Sequence, residues 1–198
     1  MEVVSYIKDS FQEYEGLQAL VLFSKGCNFK CSYCYNYEEV INPRRTEPAI
    51  KVLQRELNPM HDAVVFLGGE PTIWGDGLIE ACKFVKLKNL KTKVYTNASN
   101  PDVVKQLVEQ NLLDSISVDL KTIGKDLTKC ISKSLALEDY LLNFIDTVAY
   151  CKSSNIPVEV RTTIYGGLNV NEVKAFMVKY FPDVPHILTR DFRTNLEL

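Results

Sequence analysis

Apolar segments rich in β-branched residues alternate with segments of helical periodicity, and this alternation constrains the fold more than any other feature of the chain. Six segments predict strands, at residues 17–24, 63–67, 92–96, 115–120, 157–164 and 186–190. Five segments between them predict helices, at residues 47–57, 77–87, 101–110, 137–153 and 171–180. Strands separated by helices are joined by right-handed crossovers and form a parallel sheet covered by helices.

Six strand–helix units are too few for a closed barrel of eight strands. We therefore expect an α/β fold, a partial (open) parallel β/α barrel of about six strands. The chain has 198 residues, of which 46% are hydrophobic, and this size and balance suit one globular core. Because no internal repeat or Gly/Pro-rich linker interrupts the sequence, we expect a single domain over residues 1–198.

The charge and hydropathy of the chain argue against nucleic acid and membranes as binding partners. The formal net charge is -2, with acidic and basic residues mixed along the chain, so we expect no nucleic acid and no membrane as a partner. No segment approaches the roughly 20 apolar residues that cross a bilayer. The acidic, polar N-terminal segment lacks the basic and apolar regions of a signal peptide, and we expect a cytoplasmic protein.

Three of the six cysteines are clustered. Cys27, Cys31 and Cys34 follow the first predicted strand, on a loop at the edge of the sheet where parallel α/β folds place their active sites. Three thiolates can hold three irons of a 4Fe-4S cluster and leave the fourth iron open for a small molecule. The alternative is a structural zinc site, which needs a fourth ligand such as His61 or Cys82.

The other three cysteines lie far apart in the sequence and are expected to be buried thiols rather than disulfide partners: Cys82, Cys130 and Cys151.

The spacing CxxxCxxC, with an aromatic residue directly before the third cysteine, resembles the signature of the radical S-adenosylmethionine superfamily. The resemblance implies two cofactors, a 4Fe-4S cluster and S-adenosyl-L-methionine, whose methionyl amine and carboxylate occupy the open iron. It also implies reductive cleavage to methionine and a 5'-deoxyadenosyl radical that removes a hydrogen atom from the substrate. No side chain of the protein is then required as a catalytic acid or base, because the cofactor carries the chemistry.

Two later segments support the resemblance. Gly68, Gly69 and Glu70 follow the next strand and resemble the family's glycine-rich second motif, whose backbone carbonyls accept from the methionyl ammonium while Glu70 adds negative charge. An ordinary Gly-Gly turn is the alternative. Asp119 and Lys121 share one side of a strand and resemble the DxK pair of glycyl-radical-enzyme activases, in which they hold ribose and the methionyl carboxylate. A surface ion pair is the alternative.

Four further residues are candidates for cofactor binding. Arg161 either faces the cofactor carboxylate or pairs with Glu159. Tyr33 and Tyr35 flank Cys34 and either contact adenine or pack against the loop. Asn97 belongs to the segment 96–101, which is similar to the activases of anaerobic ribonucleotide reductase.

The overall similarity is greatest to those activases, and it implies a glycyl radical generated on an anaerobic ribonucleotide reductase. It also implies a low-potential electron donor such as flavodoxin or ferredoxin. Two departures are visible. Tyr95 stands where pyruvate formate-lyase activases carry an acidic residue, and the segment 190–193 lacks their histidine. The alternatives are a small-molecule enzyme similar to 7-carboxy-7-deazaguanine synthase, a peptide-modifying enzyme, and a non-catalytic zinc or iron-sulfur binding module.

Overall fold

The computed structural model describes residues 1–124 and 136–191. Within them eight strands form one sheet: β1 (Glu2–Ser10), β2 (Ala19–Ser24), β3 (Glu47–Pro48), β4 (Ala63–Gly68), β5 (Lys91–Thr96), β6 (Ser115–Asp119), β7 (Val158–Ile164) and β8 (His186–Arg190). The helices are α1 (Tyr37–Ile41), α2 (Ala49–Glu56), α3 (Asp76–Leu87), α4 (Pro101–Glu109), α5 (Leu137–Ser153) and α6 (Val170–Tyr180). A 3₁₀ turn spans Pro71–Trp74.

The sheet is open and mostly parallel, which confirms the expected fold class. Its strand order is β3-β1-β2-β4-β5-β6-β7-β8. Six of these strands run parallel in chain order, namely β2, β4, β5, β6, β7 and β8. The two terminal positions in this order, β3 and β8, do not pair with each other, so the barrel stays open. Each predicted strand corresponds to one of the six parallel strands.

The expected number of about six strands is too low, because two antiparallel strands were not predicted. β1 pairs with β2 and with β3, and its side chains are mostly half-buried or exposed, so the segment lacks an apolar run. β3 has only two residues. The helix expected from residue 47 begins at Ala49 instead, because Glu47 and Pro48 pair with β1 and Pro48 has an extended backbone with ψ 132°.

One face of the sheet packs against helices α2 to α6. Alternate residues of neighbouring strands, such as Leu20, Val64 and Val94, are buried in the same cluster as Leu78 of α3 and Phe144 of α5. Each such side chain contributes about 1.5–3 kcal/mol when it leaves water, so this layer holds the main core. Cys82 and Cys151 lie in it, fully buried, as predicted; Cys130 lies outside the described residues.

The opposite face, called the inner face below, carries the other set of alternating side chains. At the amino ends of the parallel strands it is covered by the segment between β1 and β2, from which Tyr14 and Leu17 pack against Val21 and Val65. At the carboxyl ends it opens into a cavity. Among the described residues, no helix is long and apolar enough to cross a membrane.

Candidate cofactor site

A cavity of about 620 Å³ lies at the carboxyl ends of the parallel strands. Its volume falls within the range of about 300–1,000 Å³ typical of small-molecule and cofactor sites. All three clustered cysteines line it, together with the ends of six strands. The predicted site residues among its walls are Tyr33, Tyr35, Gly68, Gly69, Glu70, Asn97, Asp119 and Lys121. Arg161 alone of the predicted set is not part of the cavity wall.

The cysteine loop, residues 25–36, is held against the end of β4 by backbone hydrogen bonds. The Gly26 amide donates to the Val40 carbonyl at 2.9 Å, and the Glu70 amide donates to the Gly26 carbonyl at 2.9 Å. The Trp74 indole donates to the Lys25 carbonyl at 2.8 Å. Cys27 is therefore anchored through the residues that precede it, whereas Cys31 and Cys34 follow on the turn in which the Cys34 amide donates to the Cys31 carbonyl.

Gly69 is required by this anchoring. A Cβ at Gly69 would lie 1.8 Å from the Gly26 oxygen and 2.7 Å from a methyl group of Val40. Gly68 has φ +109°, and a side chain there would collide with the backbone of Phe23. The two glycines thus allow the end of β4 to lie directly against the end of β2 and the cysteine loop that follows it. Their predicted role toward S-adenosylmethionine stays a prediction.

Glu70 is fully buried, and its carboxylate joins the ends of β4 and β5. One oxygen accepts from the Thr72 amide, the Thr72 hydroxyl and the Thr96 hydroxyl at 2.6–3.1 Å, and the other accepts from the Asn97 amide at 2.6 Å. Burial raises the pKa of Glu70, while these four donors oppose the shift. Because the carboxylate is engaged in this network, the structure gives Glu70 a positioning role beside the cavity.

Asn97 connects β5 to the cysteine loop. Its side-chain amide donates to the side-chain oxygen Oδ1 of Asn28 at 3.0 Å and lies 3.9 Å from the Cys27 sulfur. Burial and the Glu70 charge raise the pKa of Cys27 to about 11. Binding to iron would remove the proton of this thiol, because cysteine binds metals as the thiolate.

Asp119 and Lys121 lie together at the end of β6, as their spacing predicts. The Lys121 ammonium donates to the Asp119 carboxylate at 2.7 Å, and both side chains line the cavity. Burial lowers the pKa of Lys121, but Asp119 and the nearby Cys31 sulfur raise it by more, so the net shift is upward and the lysine remains charged.

Tyr140 of α5 fixes this pair, and sequence reasoning missed it. Its hydroxyl accepts from the Lys121 amide at 2.7 Å and donates to the Asp119 carbonyl at 3.0 Å. Its ring is fully buried and meets the ring of Phe29, within the cysteine loop, edge to face at 5.8 Å. A buried tyrosine on an amphipathic helix carries no sequence signal for such a role, because the contact joins residues far apart in the chain.

The two tyrosines beside Cys34 differ in environment. Tyr33 is buried and its ring stacks on that of Tyr165 at 4.4 Å, so the structure favours the packing interpretation for it. Tyr35 is 76% exposed at the cavity wall, where a ring can still contact a ligand. Contact with adenine therefore stays a prediction for both tyrosines, and the exposure of Tyr35 favours it over Tyr33.

Arg161 lies on the inner face and contacts protein groups. Its guanidinium donates to the Tyr95 hydroxyl at 2.8 Å and lies 3.7 Å from the Glu159 carboxylate. Of the two predicted environments, pairing with Glu159 is the one observed. Tyr95 itself lines the cavity, and burial together with the Glu13 carboxylate raises its pKa, so its hydroxyl stays protonated.

Neither of the two residues considered as a fourth zinc ligand lies at the cysteine loop. His61 lies before the amino end of β4, at the opposite edge of the sheet from the cysteine loop, and its ring nitrogens contact the Lys8 carbonyl and the Asn58 amide. Cys82 is fully buried on α3 in the helix-side core. Within residues 1–124 and 136–191, no three Cys, His, Asp or Glu side chains converge on a single metal ion. A 4Fe-4S cluster does not require such convergence, because each thiol binds a different iron atom of the cluster. Three cysteines on one loop suit that arrangement.

These features define an enzyme that holds an iron-sulfur cluster and a small organic cofactor in one cavity at the open edge of a parallel sheet. The three thiols, the cradle that requires glycine at position 69 and the Asp119–Lys121 pair fit those two groups. The chain belongs to the Radical SAM superfamily, whose model matches residues 21–178. Members of this superfamily use a 4Fe-4S cluster and S-adenosylmethionine, which makes this chain an oxidoreductase-type radical enzyme.

Three relatives similar in sequence to this chain carry the name of an activating enzyme. A Methanocaldococcus jannaschii protein with the provisional name glycyl-radical enzyme activating enzyme is 33% identical over 165 residues, which are 81% of this chain and 68% of that one. A second such protein of the same organism is 26% identical and covers 90% of this chain. The pyruvate formate-lyase-activating enzyme of Clostridium pasteurianum is 27% identical over 119 residues, which are 57% of this chain and 49% of its own length.

Solved structures share the fold. TYW1 with a lysine-pyruvate adduct bound has a TM-score of 0.61 at 19% identity and covers 94% of this chain and 70% of its own. The enzyme anSMEcpe with bound AdoMet and the Cp18Cys peptide has a TM-score of 0.58 at 21% identity, over 84% of this chain and 48% of its own. At these identities the likeness extends to the fold alone.

Proposed function

We propose that this protein is an activase that generates a glycyl radical on a partner enzyme, and that the partner is an anaerobic ribonucleotide reductase. The observation that carries the proposal is the 33% identity to a protein provisionally named as a glycyl-radical enzyme activating enzyme, because it extends over 81% of this chain and 68% of that protein. The finer identity of the partner rests on the similarity of the segments around residues 96–101, 119 and 161–163.

In this proposal Cys27, Cys31 and Cys34 hold the cluster. The bound cofactors supply reductive cleavage of S-adenosylmethionine and, from it, a 5'-deoxyadenosyl radical. The chain's own residues bind and orient: the Gly68–Gly69 segment shapes the wall beside the cysteine loop, and the Asp119–Lys121 pair offers one acceptor and one cation to the cofactor. A low-potential flavodoxin or ferredoxin is the proposed electron donor.

The two other described cysteines support an activase over an enzyme with a second cluster. Cys82 and Cys151 are each fully buried within the helix-side core, so neither is available as a ligand at the cavity. Burial raises the pKa of Cys151 to about 12 and that of Cys82 still further, which keeps both thiols protonated and inert. Among the described residues the cluster loop is therefore the one place where cysteines meet a cavity.

The test is an anaerobic EPR experiment. The protein is reconstituted with iron and sulfide, reduced, supplied with S-adenosylmethionine, and incubated with an anaerobic ribonucleotide reductase from the same source organism. A doublet glycyl radical on the reductase, absent when Cys31→Ala replaces the wild-type activase, is the expected result. The control partner is the same reductase with the glycine that would carry the radical replaced by alanine, which cannot form the radical.

Two other outcomes would overturn the proposal in different ways. Formation of 5'-deoxyadenosine without a radical on the reductase would keep the enzyme class and remove the partner. If a small molecule or peptide is instead consumed in proportion to S-adenosylmethionine, that compound, and not the reductase, is the substrate.

A further inference from the structure

We propose that Tyr95 closes the floor of the cofactor cavity, and that Glu13 holds it there from the segment linking β1 to β2. This segment, residues 11–18, is called the floor segment below. Together they separate the cofactor from solvent at the amino end of the sheet. The inference deepens the proposed function and rests on it only in assigning the cavity to the cofactor.

Tyr95 touches both halves of the inner face, as do Phe23 and Leu67. It lines the cavity together with the three cysteines. It also packs in the apolar cluster in which Tyr14 and Leu17 of the floor segment meet the strands of the inner face. A ring in this position forms the boundary between the cavity above and the floor segment below.

Polar contacts fix the ring in that position from three elements. The Tyr95 hydroxyl donates to a Glu13 carboxylate oxygen at 2.7 Å and accepts from the Arg161 guanidinium at 2.8 Å. The Lys93 ammonium and the Arg161 guanidinium lie 5.0 and 5.3 Å from the ring centroid, within cation–π range. Lys93 and Arg161 are both held by Glu159, at 3.1 and 3.7 Å. The phenol therefore ties β5 and β7 to the floor segment.

The alternative is that Tyr95 is an ordinary core residue whose loss affects stability alone. The surroundings argue for a barrier to water. Polar groups of Lys93, Glu13 and Arg161 contact the ring. Ser117, the register neighbour of Tyr95 on β6, has a buried hydroxyl with no hydrogen-bond partner among the described residues. Space vacated there would offer water several polar groups, which is the condition for a hydrated rather than an empty cavity. Exclusion of water protects a reactive intermediate from side reactions.

The experiment uses the reconstituted holoprotein and two variants of one residue. Tyr95→Phe keeps the ring and removes the hydroxyl, whereas Tyr95→Ala removes the barrier. The matched control is Tyr6→Phe, because the Tyr6 hydroxyl also donates to a carboxylate, Glu56, at 2.8 Å, but its ring packs against the helix-side core and not on the inner face. The first measurement is hydrogen–deuterium exchange of the floor segment. Tyr95→Phe should speed it about 5- to 30-fold, the effect of one or two kcal/mol of lost local stability, and Tyr6→Phe should leave it unchanged.

The second measurement is the deuteron modulation of the reduced cluster in pulsed EPR, recorded in D₂O with S-adenosylmethionine bound. A purely structural role would not change it. We expect wild-type modulation in Tyr95→Phe and a clear increase in Tyr95→Ala, because water then reaches the cavity through its floor.

Wild-type modulation in a Tyr95→Ala protein that retains its cluster would overturn the proposal. Unchanged exchange of the floor segment in Tyr95→Phe would overturn the role of Glu13. If Tyr95→Ala does not retain a cluster, Tyr95→Val provides the decision, because it also removes the ring but keeps a side chain suited to a strand: greater modulation supports the seal, and wild-type modulation refutes it. Neither measurement uses the partner reductase, so failure of the proposed partner leaves both results interpretable.

Discussion

The substitution Gly69→Ala tests most sharply how the cysteine loop is anchored. Non-bonded contacts of a Cβ below 3.0 Å are essentially never observed, yet the new methyl group would lie 1.8 Å from the Gly26 carbonyl oxygen. The loop must therefore retreat from β4 by more than about 1 Å. That movement breaks the hydrogen bond from the Glu70 amide to Gly26, which is 2.9 Å long.

The expected magnitude follows from these two effects. Overpacking of a rigid contact costs about 1–3 kcal/mol and the lost hydrogen bond about 1 kcal/mol, so the free energy of unfolding should fall by about 2–4 kcal/mol. Because a displacement of about 1 Å at a reacting centre can cost about 100-fold in rate, 5'-deoxyadenosine formation should fall by at least that factor. Iron and sulfide bound per chain after anaerobic reconstitution should fall as well.

The assays are denaturant unfolding of the apoprotein, iron and sulfide analysis, and 5'-deoxyadenosine formation by the reconstituted protein. Gly166→Ala is the matched control, because a Cβ at Gly166 has no neighbour within 4 Å and its φ is not positive. It should behave as wild type in all three assays. Wild-type stability and iron content in Gly69→Ala would refute the argument that this glycine is required by the loop.

Two further substitutions test the end of β6. Lys121→Ala should weaken S-adenosylmethionine binding about 10- to 100-fold, the value of a charge-assisted hydrogen bond, without loss of iron; unchanged affinity in anaerobic calorimetry would remove this lysine from the site. Tyr140→Phe should lower the free energy of unfolding by about 1–3 kcal/mol, because two partly buried backbone groups, the Lys121 amide and the Asp119 carbonyl, lose a hydrogen bond, and it should weaken cofactor binding several-fold. Tyr150→Phe is its control on the same helix, since that hydroxyl donates to exposed Glu109; equal losses in both variants would contradict a specific role.

The parallel part of the fold was predictable because β2 and β4 carry continuous apolar runs and the other four parallel strands are rich in β-branched residues. These strands are buried on one face by helices, so each keeps apolar residues on that face. β1 escaped prediction for the converse reason: it pairs antiparallel and leaves most of its side chains half-buried or exposed. β3 has too few residues to show a period of two.

The candidate site was predictable where its residues are close in sequence. Cys27, Cys31 and Cys34 share one loop, and the period of two placed Asp119 beside Lys121. Contacts between distant segments were not predictable. The network around Glu70, the support that Tyr140 gives to β6 and the pairing of Arg161 with Tyr95 join residues that lie 19 to 66 positions apart.

The measurement that tests the central claim most directly is anaerobic reconstitution with iron and sulfide, followed by reduction in the presence of S-adenosylmethionine and quantification of 5'-deoxyadenosine. The account predicts one 4Fe-4S cluster per chain, 5'-deoxyadenosine formation by the wild-type protein, and none above background from Cys31→Ala. Stoichiometric zinc with no cluster, or 5'-deoxyadenosine formation by Cys31→Ala at the wild-type rate, would contradict it.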